Sequence, residues 1–249
     1  MQESENEPPI AYDAYETMAT YYFNGIDTKP YNADYERPAT LSLLPDVRGK
    51  RVLDAGCAAG WYTSWLLEHG AQVTAVDVSP AMLEMTRRRV GDRARVIQAD
   101  LSRPLTFLVD KSVDIVLSSL TLHYLKDWGP VMREFHRVLV PGGHLVFSVH
   151  HPFMDFTLFE REDYFATELL EDEWNTSEGK VKVHFYRRPL SQILALLLEA
   201  GFCLERLLEP FPTEACREKR PDVYQRLMTR PQFLFIRAVK GPLSKDGNR

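Results

Sequence analysis

The sequence predicts an α/β fold, a parallel sheet with helices packed against it, and three observations predict it. Between Arg51 and about His151, short β-rich apolar runs alternate with amphipathic segments, the pattern left by repeated strand–helix–strand units. The runs are apolar enough to be buried on both faces, as in Val113-Asp114-Ile115-Val116-Leu117. A glycine-bearing turn follows the first run directly and opens into a helical stripe, the connection at which an open α/β sheet meets its ligands.

Strands are expected at 51–55, 72–77, 95–99, 113–118 and 144–149. Between them, Trp61, Trp65 and Leu66 form one helical stripe ahead of Gly70. Met82, Leu83 and Met85 form a second, opened by the start signal Ser79-Pro80. Val131, Phe135, Val138 and Leu139 form a third, stopped by Pro141-Gly142-Gly143. The stretch 100–111 shows no convincing helical period, so it is expected to be a loop or a short helix. After Pro152 aromatic and acidic residues mix, with a strand expected at 181–186, so 152–188 is expected to be an insertion over the sheet. Periodicity resumes with Leu190, Ile193, Leu194 and Leu197 up to Gly201, followed by strands near 202–208 and 232–239. With no long helix between them, these last two can pair as an antiparallel ribbon. The tyrosine-rich residues 1–45 are expected to cap the sheet as helices, 46–240 to form the main domain, and 241–249 to be a flexible tail.

Composition narrows the function classes. The 249 residues are 45% hydrophobic and 26% charged, which suits a well-buried core. No run of about 18 apolar residues occurs, and the N-terminus is acidic and polar, so the expectation is a cytoplasmic protein with no membrane partner. A formal net charge of -5 argues against a broad nucleic-acid surface, and Arg87, Arg88 and Arg89 fit the solvated end of a helix. Cys57, Cys203 and Cys216 lack metal-ligand spacing, so reduced thiols and no metal are expected.

The chemistry is concentrated in Asp54-Ala55-Gly56-Cys57-Ala58-Ala59-Gly60, Asp77 and Asp100. A glycine turn lets backbone approach a ligand and points helix N–H groups at it. With two glycines the turn alone could equally be a tight structural connection. Asp77, about 20 positions on at a strand end, can accept hydrogen bonds from both ribose hydroxyls of an adenosine group. Asp100 ends the third strand beside Leu101 and can accept a hydrogen bond from an adenine amino group. Asp54 stands ahead of the glycines where a dinucleotide fold generally carries glycine.

Val52-Leu53-Asp54-Ala55-Gly56-Cys57-Ala58-Ala59-Gly60, Val76-Asp77-Val78-Ser79-Pro80-Ala81-Met82, Gln98-Ala99-Asp100 and Leu139-Val140-Pro141-Gly142-Gly143 resemble the successive motifs of class I S-adenosylmethionine-dependent methyltransferases of the small-molecule, type 11-like kind. The resemblance spans roughly 45–149 and implies a Rossmann-like, doubly wound seven-stranded sheet of order 3-2-1-4-5-7-6 with strand 7 antiparallel. It implies S-adenosyl-L-methionine as cofactor and S-adenosyl-L-homocysteine as product. The cofactor would be held by the Gly56–Gly60 backbone, with Asp77 on the ribose, Val78 and Met82 along the adenine, Asp100 and Leu101 closing the adenine end, and the Ser118 backbone at the methionine part, which places the methyl group toward 119–123. Ala58 departs from the family, whose middle glycine it replaces, and adds a methyl group near the cofactor.

The acceptor side is less determined. Candidate bases are His123 after the fourth strand and His150 and His151 after the fifth. Neighbouring side chains at a strand end point oppositely, so at most one of the latter two is expected to face the cofactor edge. Among Tyr12, Tyr15, Tyr21, Tyr22, Tyr31 and Tyr35, Tyr22 and Tyr35 are the candidates for cofactor or substrate contact, while Trp174, Phe185 and Tyr186 can complete an apolar lid. The function expected is methyl transfer to an O, N or C atom of a small, aromatic or otherwise apolar acceptor by a monomer or homodimer. The alternatives are a cofactor-binding protein without catalysis and, less favoured for want of an Asn-Pro-Pro-Tyr-type tetrapeptide, a nucleic-acid methyltransferase.

Overall fold

The computed structural model describes residues 9–176 and 179–241; the expected tail after Gly241 lies outside the described residues. Parallel strands β1 (Arg51–Ala55), β2 (Gln72–Asp77), β3 (Arg95–Gln98), β4 (Val113–Ser119) and β5 (Leu139–His150) are followed in the same sheet by β8 (Phe202–Leu208) and β9 (Phe233–Lys240), in the order β3-β2-β1-β4-β5-β9-β8. Strand β9 runs antiparallel to both its neighbours. This is the expected order, with β9 in the place of strand 7 and β8 in the place of strand 6.

Helices cover both faces because the central strands are apolar on both. Leu53, Val116 and Leu117 are fully buried. On one face α5 (Gly129–Val138) and α7 (Leu190–Glu199) bury Val131, Phe135, Val138, Ile193 and Leu197. On the other, α3 (Trp61–Glu68) and the N-terminal α2 (Arg37–Leu43) bury Tyr62, Leu66, Ala39 and Leu43 against Val52, Leu117 and Phe235. Helix α4 (Pro80–Val90) starts at Ser79, whose Oγ accepts the Met82 N–H at 3.0 Å. Glu16, on α1 (Tyr12–Gly25), accepts from the Ser79 hydroxyl and from the Ala81 N–H, so a carboxylate from the N-terminal helix sits at the positive end of α4.

Three elements differ from the expectation. Strand β5 begins at Leu139, five residues early: α5 ends at Val138, and the Pro141-Gly142-Gly143 run lies inside the strand, where a register shift against β4 absorbs it. The insertion holds a short α6 (Pro152–Leu158) and a two-stranded hairpin of β6 (Glu168–Thr176) and β7 (Gly179–Arg187). Strand β6 was not expected because it buries only Leu170 and so carries no apolar alternation. Between β8 and β9 stand two short helices, α8 (Glu214–Lys219) and α9 (Pro221–Leu227), too brief to show a period.

The C-terminal ends of β1, β2, β4 and β5 therefore open on one edge. It is covered by α1, by a π-helical turn at Asn32–Glu36, by the β6–β7 hairpin and by α9. No helix among the described residues is long and apolar enough to cross a membrane.

Candidate active site

A cavity of about 430 Å³ runs along that edge. Its first end is built by the turn after β1, where Gly56, Cys57, Ala58 and Ala59 line the wall beside Asp77, Val78, Asp100 and Leu101. Gly56 has φ of 85°, and a Cβ there would lie 2.2 Å from Thr121 Oγ1, so the backbone is pressed against the loop after β4. Ala58 takes a similar left-handed conformation, φ 46°, with a side chain that disfavours it. Its N–H donates to Asp77 Oδ2 at 2.9 Å and its carbonyl accepts from Thr86 Oγ1 at 2.7 Å, which holds the turn in place.

Asp77 also accepts the Ser79 N–H on Oδ1 at 3.0 Å. A carboxylate offers about four lone-pair sites, so each oxygen retains capacity toward the cavity it lines. Burial raises its pKa above the usual carboxylate range, with the backbone N–H donors opposing. Asp100 accepts the Ser102 N–H on one oxygen at 2.8 Å and stands beside buried Leu101. The turn that a Cβ at Gly56 would jam, the open lone pairs of Asp77 and the apolar Val78 and Leu101 together fit an adenosyl group.

Four other residues expected at the cofactor lie behind this wall instead of on it. Asp54 is buried and accepts the Thr63 hydroxyl at 2.6 Å; burial pushes it up to about 7. Gly60 is the left-handed residue before α3, packed against Thr86. Met82 is fully buried against Ala59 and Met85. The Ser118 side chain faces into the sheet, its hydroxyl on the Ala55 carbonyl at 2.9 Å, and the residues after it, Ser119, Leu120 and Thr121, line the cavity.

The second end holds two of the three candidate histidines. His123 and His150 stack with ring centroids 4.2 Å apart, packed edge-on by Phe185 at 5.9 Å and 4.5 Å. Burial, and then His150 and Arg188, hold His123 well below the usual histidine range, so it is a neutral imidazole. Neither of its ring nitrogens has a hydrogen-bond partner among the described residues. The Nδ1 of His150 lies 3.6 Å from the buried Asp155 of α6. His151 points the other way, with Nε2 2.6 Å from Glu209, and does not line the cavity.

The tyrosines divide similarly. Tyr15, Tyr22 and Tyr31 line the cavity. Tyr35 does not: it is 1% exposed, packed on Phe233 and Phe235, and its hydroxyl accepts the Gln232 N–H. The Tyr15 and Tyr124 hydroxyls are 2.8 Å apart, and burial raises both phenols and that of Tyr22, which fixes them as protonated donors. Trp174 lines the cavity, while Phe185 packs behind the histidines.

Sequence reasoning missed Glu36. It is 1% exposed at the end of the π-helical turn, yet touches the cavity. Its Oε1 accepts from Thr40, Ser119 and Ser148 hydroxyls at 2.7–2.8 Å and its Oε2 from Tyr62 at 2.7 Å. Arg37 beside it, bound to the Ile26 and Asp27 carbonyls and lying 4.1 Å over the Trp61 ring, was also missed. Neither has a local motif; each is legible only through partners far along the chain. No group of three or more His, Cys, Asp or Glu suited to a metal occurs among the described residues.

Comparison with known proteins agrees with this geometry. A family model described as a methyltransferase domain matches residues 53–147. The crystal structure of an S-adenosylmethionine-dependent methyltransferase from Mesorhizobium loti is 30% identical, with a TM-score of 0.68, over 86% of this chain and 100% of that one. An uncharacterized Haemophilus influenzae protein is 27% identical over 84% of this chain and 88% of its own length. The malonyl-[acyl-carrier protein] O-methyltransferase of Serratia marcescens is 32% identical over 58% of this chain, which spans only 51% of that relative.

Proposed function

The chain belongs to the class I S-adenosylmethionine-dependent methyltransferases, and on that premise we propose that its acceptor is a small aromatic metabolite, methylated on an O, N or C atom at the His123–His150 end of the cavity. The observation that carries this reading is continuity. One cavity joins the turn at Gly56–Ala59 and Asp77 to walls made of Tyr15, Tyr22, Tyr124, Trp174 and Phe233, and ring faces of this kind favour a flat apolar guest.

S-adenosylmethionine, when bound, supplies a methyl group on a sulfonium leaving group, so orientation and exclusion of water can account for much of the rate. In this reading Asp77 accepts from the ribose hydroxyls, while Val78, Asp100 and Leu101 bound the adenine. Gly56, held against Thr121, lets the backbone reach the donor closely. Arg37, from the N-terminal cap, offers a cation beside the start of α3 for the donor's carboxylate. His123, neutral, can accept a hydrogen bond from the acceptor and orient it. His150 stacked on it presents a second imidazole to the same space, with Asp155 behind.

Transfer of labelled methyl to a panel of phenols, indoles and aliphatic acids of similar size tests the reading, with calorimetric binding of S-adenosylhomocysteine run in parallel. Turnover is expected on aromatic members. Turnover confined to the aliphatic acids would overturn it.

A further inference from the structure

The cavity wall carries both signs of charge, and three of its carboxylates accept from neutral donors of the protein. Glu36 takes four hydroxyls, Asp77 takes the Ala58 and Ser79 N–H groups, and Asp172 takes the Trp174 indole N–H at 2.9 Å. Of the cations of the same wall, Arg37 holds two backbone carbonyls and lies 3.9 Å from the Asp27 carboxylate, Lys29 lies 5.5 Å over the Trp174 ring, and Arg226 donates to the Tyr31 hydroxyl at 2.6 Å.

Arg226 is the telling member. Elsewhere in the molecule Arg51, Arg89, Arg137, Arg187 and Arg237 each reach a carboxylate within 3.0 Å. Arg226, half-buried in α9, reaches none among the described residues, and one of its five N–H donors is used on Tyr31. Its position is on the acceptor side, as a chain of contacts shows. Tyr31 precedes the π-helical turn that carries Tyr35; the Tyr35 hydroxyl accepts the Gln232 N–H; and Phe233 stacks at 5.8 Å on His150. Gln232 also lines the cavity, and its buried Oε1 has no hydrogen-bond partner among the described residues. A planar guanidinium with free parallel donors binds a planar oxyanion through two charge-assisted hydrogen bonds.

We propose that the methyl acceptor carries an oxyanion, a carboxylate or a phosphate, which Arg226 anchors at the end of the cavity bounded by Tyr31 and Gln232, and that Lys29 adds a second, more distant positive charge. This rests on the methyltransferase reading and narrows its substrate to aromatic acids. The anion is the handle that fixes the ring against Phe233; the atom to be methylated lies at the other side of the ring, toward His123 and His150. Arg37 stays available to the donor's own carboxylate, so the two anions of a ternary complex have separate cations.

The test is an NMR titration of the whole chain with benzoate, phenyl phosphate and the neutral benzoate isostere benzamide, each with and without saturating S-adenosylhomocysteine. Benzoate or phenyl phosphate is expected to bind at least tenfold more tightly than benzamide, and the preferred anion identifies the oxyanion. Arg226→Gln should abolish that preference while leaving benzamide and S-adenosylhomocysteine affinities within twofold. Anion binding no tighter than that of benzamide in the wild type, or a preference that survives in Arg226→Gln, would overturn the anchor. The wild-type comparison stands even if the variant folds poorly. Failure to bind S-adenosylhomocysteine would instead count against the methyl-donor reading, because the probes are titrated without it as well.

Discussion

Replacing Asp54 by Asn should flatten the pH dependence of stability between pH 5 and pH 8. The carboxyl is sealed under the turn after β1 with the Thr63 hydroxyl as its side-chain donor, and burial raises it from 3.8 to about 7, with the charge of Asp77 adding to the rise. Between those two values the folded chain holds a proton that the unfolded chain has released. Its contribution is therefore fully present below the unfolded value and lost as pH climbs through the folded one. At about 1.4 kcal/mol per pH unit, roughly two units of this imbalance lie between pH 5 and 8, so wild type should lose about 2–3 kcal/mol over that window from this group. Asn keeps the shape and the Thr63 contact but has no proton to lose. Buried His123 and His136, held below the usual histidine range, work with the opposite sign, so the informative quantity is the difference between wild type and Asp54→Asn. Urea unfolding at pH 5, 6.5 and 8 measures it, on ligand-free protein. Parallel curves for the two proteins would refute the reasoning and mean that Asp54 is ionised in the folded state throughout.

Ala58→Gly should stabilise the fold by about 0.5–1 kcal/mol, since relief of a left-handed alanine (about 1–2 kcal/mol) exceeds the added chain entropy of glycine. A rise in Tm of roughly 1–4 °C is expected by differential scanning fluorimetry, and a fall would show the turn to be unstrained. Gly56→Ala puts a Cβ 2.2 Å from Thr121 Oγ1 at φ 85°, and should cost about 2–4 kcal/mol and weaken S-adenosylhomocysteine binding by calorimetry. Wild-type affinity in that variant would detach the close approach from the cofactor. His123→Ala and His150→Ala should lower kcat for an aromatic acceptor by at least tenfold, whereas His151→Ala, which removes only the Glu209 contact, should change turnover less than twofold. A larger loss in the His151 variant than in the other two would reverse the assignment.

The donor end was legible because it is written locally. Gly56, Asp77 and Asp100 each stand at a strand's C-terminal end or within two residues of it, and consecutive parallel strands bring their ends to one edge whatever the loops do. The departure there is of one layer: Met82 sinks into the core while Val78 lines the cavity. At the strand end after β5, alternation correctly separated His150 from His151, but Glu209 decided which one turned away. The rest of the cavity wall draws on Glu36, His123, Trp174, Arg226 and Gln232, brought together from distant parts of the chain with no shared motif. Tyr35 shows why composition cannot replace that geometry. Nothing local distinguishes it from Tyr31 or Tyr22, yet packing on Phe233 and Phe235 closes it off.

Glu36 also bears on how such an enzyme can be rebuilt. Its carboxylate serves hydroxyls of the N-terminal cap, of the last residue of β4, of β5 and of α3 at once. A cap grafted from a relative, or a truncation ahead of Arg37, would strip the shared acceptor from Ser119, Ser148 and Tyr62, leaving three donors stranded in the floor of the cavity. The cap and sheet are therefore inherited as one unit. New acceptor preferences are accessible by exchanging the side chains around this fixed post, not by shuffling whole caps.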